Sequence, residues 1–194
     1  TLDKCCIWGS NGGGHWCRSQ TPAGQYASFD LWPVLRELDP DELYATDMTM
    51  KAGGPARLYS AWNAKTVARH FKWMADQGID GVLLQRFASE LGDPRFAAAR
   101  DMVTQNVRAG AEAHGRVWAI EYDISGMNEA TMVDVLKNDW AHLVDDLKVF
   151  DSPRYLRHKG RPVLFVWGFG FTDRPGTPAQ AADLSEQGCV GPAA

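Results

Sequence analysis

Two acidic residues, Glu121 and Asp123, stand two positions apart at the end of the apolar run Val117-Trp118-Ala119-Ile120. On an extended strand this spacing sends both carboxyls to one face, with their α-carbons about 7 Å apart. Paired carboxyl groups can divide the work of a general acid and a general base between them. Glu121 and Asp123 are therefore the candidate catalytic residues. Two further apolar runs end in the same manner: Ile79 to Leu84 leads into Gln85-Arg86-Phe87, and Pro162 to Val166 leads into Trp167-Gly168-Phe169. The Gln85 amide can donate to and accept from hydroxyl groups, and the Arg86 guanidinium suits a carboxylate. These two alternate in facing, so only one of them turns to a given side of its strand. Phe87, Tyr122, Trp167 and Trp8 place aromatic planes at or near strand ends, where a pyranose ring can stack. Gln85, Arg86, Phe87, Tyr122, Trp167 and Trp8 are the candidate substrate-binding residues. Two structural roles compete with these: Asp123 as the cap of a turn through Ser125-Gly126, and Glu121 as an ion-pair partner of Arg86.

Strands with polar exits need connecting helices to bring them side by side. Asn63 is suited to cap a helix running to Gln77 with Val67, Phe71 and Met74 at helical spacing, and Gly78 ends it. Pro94 opens a second helix to about His114, closed by Gly115, and a third spans about Asn128 to Lys148. Tyr155 to Leu164 reads as a small hairpin turning at Lys159-Gly160, and Pro178 to Glu186 starts a last helix. Strands at 80–86 and 117–122 and the apolar run from Pro162, alternating with helices, form the α/β pattern of a parallel sheet or barrel, with ligands bound beyond the carboxyl ends of the strands. With Cys5-Cys6-Ile7-Trp8 as a first strand, about four βα units are present, half of an eightfold barrel that typically takes about 250 residues. The expectation is an incomplete (β/α) barrel of TIM type, a single partial domain over 1–194. Residues 9–62, rich in Pro and Gly, are expected to be a long loop region with one short helical turn near Trp32 to Leu38. A half-barrel that is the natural chain would pair its open strand edges in a homodimer.

The 194-residue chain has a formal net charge of −4 with Lys and Arg scattered among Asp and Glu, which argues against a nucleic-acid partner. Its apolar stretches fall far short of the roughly 20 residues needed to cross a bilayer, so no membrane partner is expected, and no basic, apolar leader opens the chain. Cys5, Cys6, His15 and Cys17 lack the paired C-x₂₋₄-C spacing of structural zinc, and no metal site is read from them. The cluster Gly9 to Gly14 has neither glycine pattern of a phosphate loop and reads as a flexible loop, and hydrolytic chemistry at the strand exits would need no cofactor. His70 and His142 fall within helices as packing or surface residues, leaving His15 as the histidine to consider near a site.

Several short motifs occur in a fixed order: Leu58-Tyr59-Ser60-Ala61-Trp62-Asn63, His70-Phe71-Lys72-Trp73-Met74, Gly78-Ile79-Asp80-Gly81-Val82, the Tyr-Asp-Ile-Ser-Gly at 122–126, Ser152-Pro153-Arg154-Tyr155-Leu156, and Gly160-Arg161-Pro162-Val163. Over roughly residues 55 to 180 this order resembles the glycoside hydrolase family 71/99-like group, which includes endo-α-mannosidases and α-1,3-glucanases. The resemblance implies a truncated (β/α)₈ O-glycosyl hydrolase of carbohydrate metabolism acting on an oligo- or polysaccharide, in a secreted or periplasmic location. Ile120-Glu121-Tyr122 is similar to an Ile-Glu-Pro-Tyr of the endo-α-mannosidase branch without its proline, which implies a sugar-facing strand end. The Glu-Trp-x-x-Glu element carrying that branch's catalytic glutamates is absent. An alternative therefore stands beside the hydrolase: a non-catalytic carbohydrate-binding remnant lacking the downstream carboxylates.

Overall fold

The structure is a computed structural model and describes residues 17–21, 24–27 and 31–185. In chain order the elements are β1 (Cys17–Thr21), β2 (Gly24–Ala27), β3 (Leu43–Thr49), β4 (Pro55–Tyr59), α1 (Ala64–Asp76), β5 (Gly81–Phe87), α2 (Pro94–His114), β6 (Val117–Asp123), α3 (Glu129–Ala141), β7 (Arg157–His158), β8 (Arg161–Pro162), β9 (Leu164–Trp167) and α4 (Pro178–Leu184). Strands β5, β6 and β9 lie side by side in that order and run parallel. Strand, helix, strand, helix, strand in one parallel sheet is an α/β arrangement that fits part of a TIM-like fold. The expected first strand, Cys5 to Trp8, lies outside the described residues.

The helix ends follow their sequence signals. Side chains of Asn63, Asp93 and Asn128 accept from Lys65 N, Arg95 N and Ala130 N, satisfying donors that the first turns of α1, α2 and α3 leave open. Gly115 closes α2 in the left-handed conformation (φ 64°), which lets Arg116 N reach Ala111 O at 3.0 Å. Helices α1 and α2 pack closely where Gly110 faces Phe71; a β-carbon there would lie 2.6 Å from the Phe71 ring.

Parallel register points laterally paired residues to the same face. Val82, Leu84 and Arg86 of β5 align with Trp118, Ile120 and Tyr122 of β6, and Ile120 and Tyr122 align with Leu164 and Val166 of β9. This is the helix side. Its apolar members pack with Val103, Val107 and Ala111 of α2 and Met132, Leu136 and Trp140 of α3 in one core. The other face presents Leu83, Phe165 and Trp167, exposed by 43%, 38% and 49%.

The third strand position is interrupted. Trp118 N donates to Arg154 O (3.1 Å) and Leu156 N to Trp118 O (2.7 Å), so Arg154 to Leu156 runs beside the start of β6 before the chain leaves the sheet. It turns at Lys159 and Gly160 (φ 50° and 81°), the mirror-image geometry that suits a tight hairpin, and re-enters as β9. The predicted hairpin at 155–164 thus sits inside a sheet strand. Buried Tyr155 staples the excursion: its hydroxyl accepts from Ile120 N (3.3 Å) and donates to Val163 O (3.0 Å).

Two expectations need correction. Residues 9–62 are not a plain loop: within them β1 pairs antiparallel with β2, and β3 with β4, the latter turning through Gly53 and Gly54 (φ 88° and 83°). Ala56, Leu58 and Thr46 are buried by this pairing and its packing, which stabilises strands set in a stretch punctuated by Pro40, Gly53, Gly54 and Pro55. Near Trp32 to Leu38 only a turn closes, Leu38 N to Leu35 O, before a 3-10 turn at Pro40–Glu42. The third helix also stops short of Lys148. It ends at Ala141, widens into a π turn over His142–Asp146, and leaves Lys148 at positive φ. Among the described residues no helix is long and apolar enough to cross a membrane.

Candidate functional site

On the face away from the helices, the strand exits form two lateral rows. Gln85, Glu121 and Phe165 are in register with one another, and one step further out so are Phe87, Asp123 and Trp167. The sheet therefore brings together five of the residues singled out from sequence: Gln85, Phe87, Glu121, Asp123 and Trp167. Asp123, 4% exposed, is the floor of the group. Gln85 Nε2 donates to its Oδ2 (2.7 Å) and Ser125 N to its Oδ1 (2.8 Å). The turn-capping role expected of Asp123 is thus real, and the Gln85 contact is additional. Arg174 Nε holds Ser125 from beyond by donating to its Oγ (2.8 Å).

Glu121 differs in every respect. It is half-buried and accepts no hydrogen bond among the described residues. Burial, with the nearby Asp123 charge as a second cause, raises its carboxyl above the ordinary carboxylate range. One sheet face therefore carries two carboxyls, one held by donors on both oxygens and the other unheld.

Aromatic surface flanks the pair on the β9 side. Trp167 stands edge-on to Phe171, their rings 5.4 Å apart, and both are substantially exposed. Phe165 was missed by sequence reasoning, although its position two before Trp167 places it on the same strand face. On the β5 side, Phe87 is half-buried beneath the Arg100 guanidinium, 5.5 Å from its ring, and Arg100 is itself ion-paired with buried Glu90. A cavity of 270 Å³ opens along β5 between the helices, lined by Gln85 together with Val67, Phe71, Leu83 and Phe87; the two carboxyls lie outside it.

Arg86 and Tyr122 do not belong to this face. Period-two alternation turns both to the helix side, where they are 1% and 0% exposed. Arg86 donates from Nε and Nη2 to Asp139 (3.0 and 2.6 Å), from Nη2 to Asp101 (3.1 Å) and from Nη1 to Thr104 Oγ1 (3.2 Å). The Tyr122 hydroxyl donates to Asp139 Oδ2 at 2.5 Å. Both are corrected from substrate contacts to members of a buried ion network, and the expected Glu121–Arg86 pair is replaced by Asp139–Arg86. His142 extends the network: its Nε2 lies 2.9 Å from Asp101 and its Nδ1 2.7 Å from Asp146. His70, the other helical histidine, packs between Tyr59 and Trp73 as expected. Trp8 and His15 lie outside the described residues.

A second acidic group, Asp39, Asp41 and Glu42, is close enough to share a cation, but its oxygens are already taken by Lys65, Arg69 and Thr66. It is an ion-pair cluster that ties the 3-10 turn to α1.

No family model matches the chain, and no curated protein matches it. Among solved structures, two of the GH99 endo-alpha-mannosidase from Bacteroides thetaiotaomicron are similar. One, in complex with Bis-Tris-propane, has a TM-score of 0.45 at 13% identity and covers 65% of this chain and 34% of that one. The other has a TM-score of 0.47 at 14% identity and covers 83% of this chain and 42% of that one. The likeness is distant, and the chain spans less than half the length of either structure.

Proposed function

We propose that this chain is part of a (β/α) barrel whose strand exits bind a glycan, and that the reaction run there is hydrolysis of a glycosidic bond. The observation that carries the reading is the pair of rows on one sheet face: Gln85, Glu121 and Phe165 beside Phe87, Asp123 and Trp167. Glycoside cleavage calls for two neighbouring carboxyls in unlike surroundings, and sugar rings call for exposed aromatic planes with amide groups to meet their hydroxyls. A core position has no use for a tryptophan left 49% exposed beside a carboxylate.

The test is incubation of the purified chain with a panel of aryl glycosides, together with binding to a glycan array. Turnover that disappears in the double variant Glu121→Gln/Asp123→Asn, and glycan binding that weakens in Trp167→Ala, support the reading. Binding that weakens in Trp167→Ala, with no turnover in the unmodified chain, identifies a carbohydrate-binding module instead. Absence of binding and turnover alike refutes both.

A further inference from the structure

Within that proposed hydrolysis, the contacts of the two carboxyls are unequal enough to divide their roles. Both oxygens of Asp123 are engaged, Oδ2 by Gln85 Nε2 and Oδ1 by Ser125 N, and only 4% of the residue is exposed. A carboxyl that accepts a hydrogen bond on each oxygen and lies below the surface is fixed in place and has little freedom to approach a sugar. Glu121 stands one lateral row away on the same face, longer by a methylene, half-buried, with no donor on either oxygen among the described residues and with apolar Phe165 beside it.

We propose that Glu121 is the catalytic residue that delivers the proton to the departing oxygen, and that Asp123 acts through it as a fixed neighbouring anion held by Gln85 and Ser125. The proposal rests on the hydrolase reading above. In the step itself the O–H bond of the protonated Glu121 breaks and its proton passes to the glycosidic oxygen. The anomeric C–O bond breaks, and its electron pair stays with the leaving alcohol. A water oxygen adds to the anomeric carbon, and the proton that this water sheds restores Glu121, so the sum is glycoside plus water giving sugar plus alcohol. Asp123 keeps its charge throughout, favouring the protonated form of Glu121 before the step and the positive charge that grows on the anomeric carbon during it. Gln85 is a positioning residue, since its amide holds the Asp123 carboxylate on the Glu121 side of the sheet.

Two measurements test the assignment on the full chain. Carbon-detected NMR titration of the side-chain carboxyls is independent of turnover: Glu121 is expected to titrate above an ordinary glutamate and to move back down in Asp123→Asn. A Glu121 that titrates as an ordinary glutamate, or does not respond to Asp123→Asn, overturns the proposal. The second compares nitrophenyl with dinitrophenyl glycosides, the latter leaving without help from an acid. Glu121→Gln is expected to slow the nitrophenyl substrate by about 10²- to 10⁴-fold, the usual worth of a positioned proton donor, and the dinitrophenyl substrate by far less. Asp123→Asn is expected to slow both substrates and to shift the alkaline limb of the pH profile to lower pH. Equal losses on both substrates in Glu121→Gln overturn the role of Glu121 while leaving the hydrolase reading intact. Absence of all turnover in the unmodified chain removes the hydrolase reading and this assignment together, whatever the titration gives.

Discussion

Replacing Arg86 by methionine is expected to remove a large share of the molecule's stability without touching the sheet face that carries Glu121 and Asp123. The guanidinium is 1% exposed and makes four hydrogen bonds: two to Asp139, one to Asp101 and one to Thr104. Methionine keeps most of the apolar stem but leaves the Asp139 side chain, 9% exposed, as an uncompensated anion with Asp101 beside it. Removing one member of a buried ion pair costs about 3–5 kcal/mol, because the remaining charge stays desolvated. In a domain of this size that corresponds to a melting temperature lower by roughly 6–20 °C. The companion variant Asp139→Asn removes the opposite charge while leaving an acceptor for the Tyr122 hydroxyl. The double variant Arg86→Met/Asp139→Asn should therefore cost clearly less than the sum of the two single changes, with a coupling of about 2 kcal/mol or more. Urea unfolding of the four proteins, followed by tryptophan fluorescence, measures the cycle. A cost below about 1 kcal/mol for Arg86→Met, or single costs that add, would show that the network is solvated. Full stability with loss of glycan binding would return Arg86 to the ligand.

Gly110→Ala should destabilise by up to about 2 kcal/mol: the helix gains about 1 kcal/mol from alanine, but forcing a methyl against the buried Phe71 ring at 2.6 Å costs about 1–3 kcal/mol. Thermal melts that show a stabilised Gly110→Ala would contradict the close α1–α2 packing, and Phe71→Leu in the same chain should relieve the cost. His142 makes stability depend on pH. Hydrogen bonding to Asp146 first, then to Asp101, raises its folded value above the unfolded one of about 6.5, so its contribution is complete below that pH and is lost as pH rises through the folded value. Melting temperature across pH 5 to 9 should accordingly fall more in the unmodified chain than in His142→Gln, which donates at any pH; parallel curves would disprove the clamp.

What the sequence made legible and what it hid divide along physical lines. The helix limits at Asn63, Pro94 and Gly115 and the Lys159-Gly160 turn were readable because each depends on one residue's own conformational preference. The row of Gln85, Glu121 and Phe165 was half readable. Alternation along β5 separates Gln85 from Arg86, but parallel strands are apolar on both faces, so nothing local says which of the two faces the helices. Only Asp101 and Asp139, arriving on α2 and α3, decide that Arg86 turns inward. The β3–β4 pairing was hidden because its partners meet through packing rather than through pattern, in a segment crowded with Pro and Gly. The π turn at His142 was hidden for the opposite reason: Leu143 and Leu147 continue the helical spacing straight through it.

The order β5, β6, β9 in the sheet is also their order along the chain, each docking next to the sheet strand that precedes it. A polypeptide emerging from the ribosome can then lay down this layer stepwise, each strand pairing with one 36 or 44 residues behind it in the chain (117 − 81 and 164 − 120). The inserted β7–β8 hairpin delays only the last addition, since Arg154 to Leu156 already grips the edge of β6 before the excursion begins.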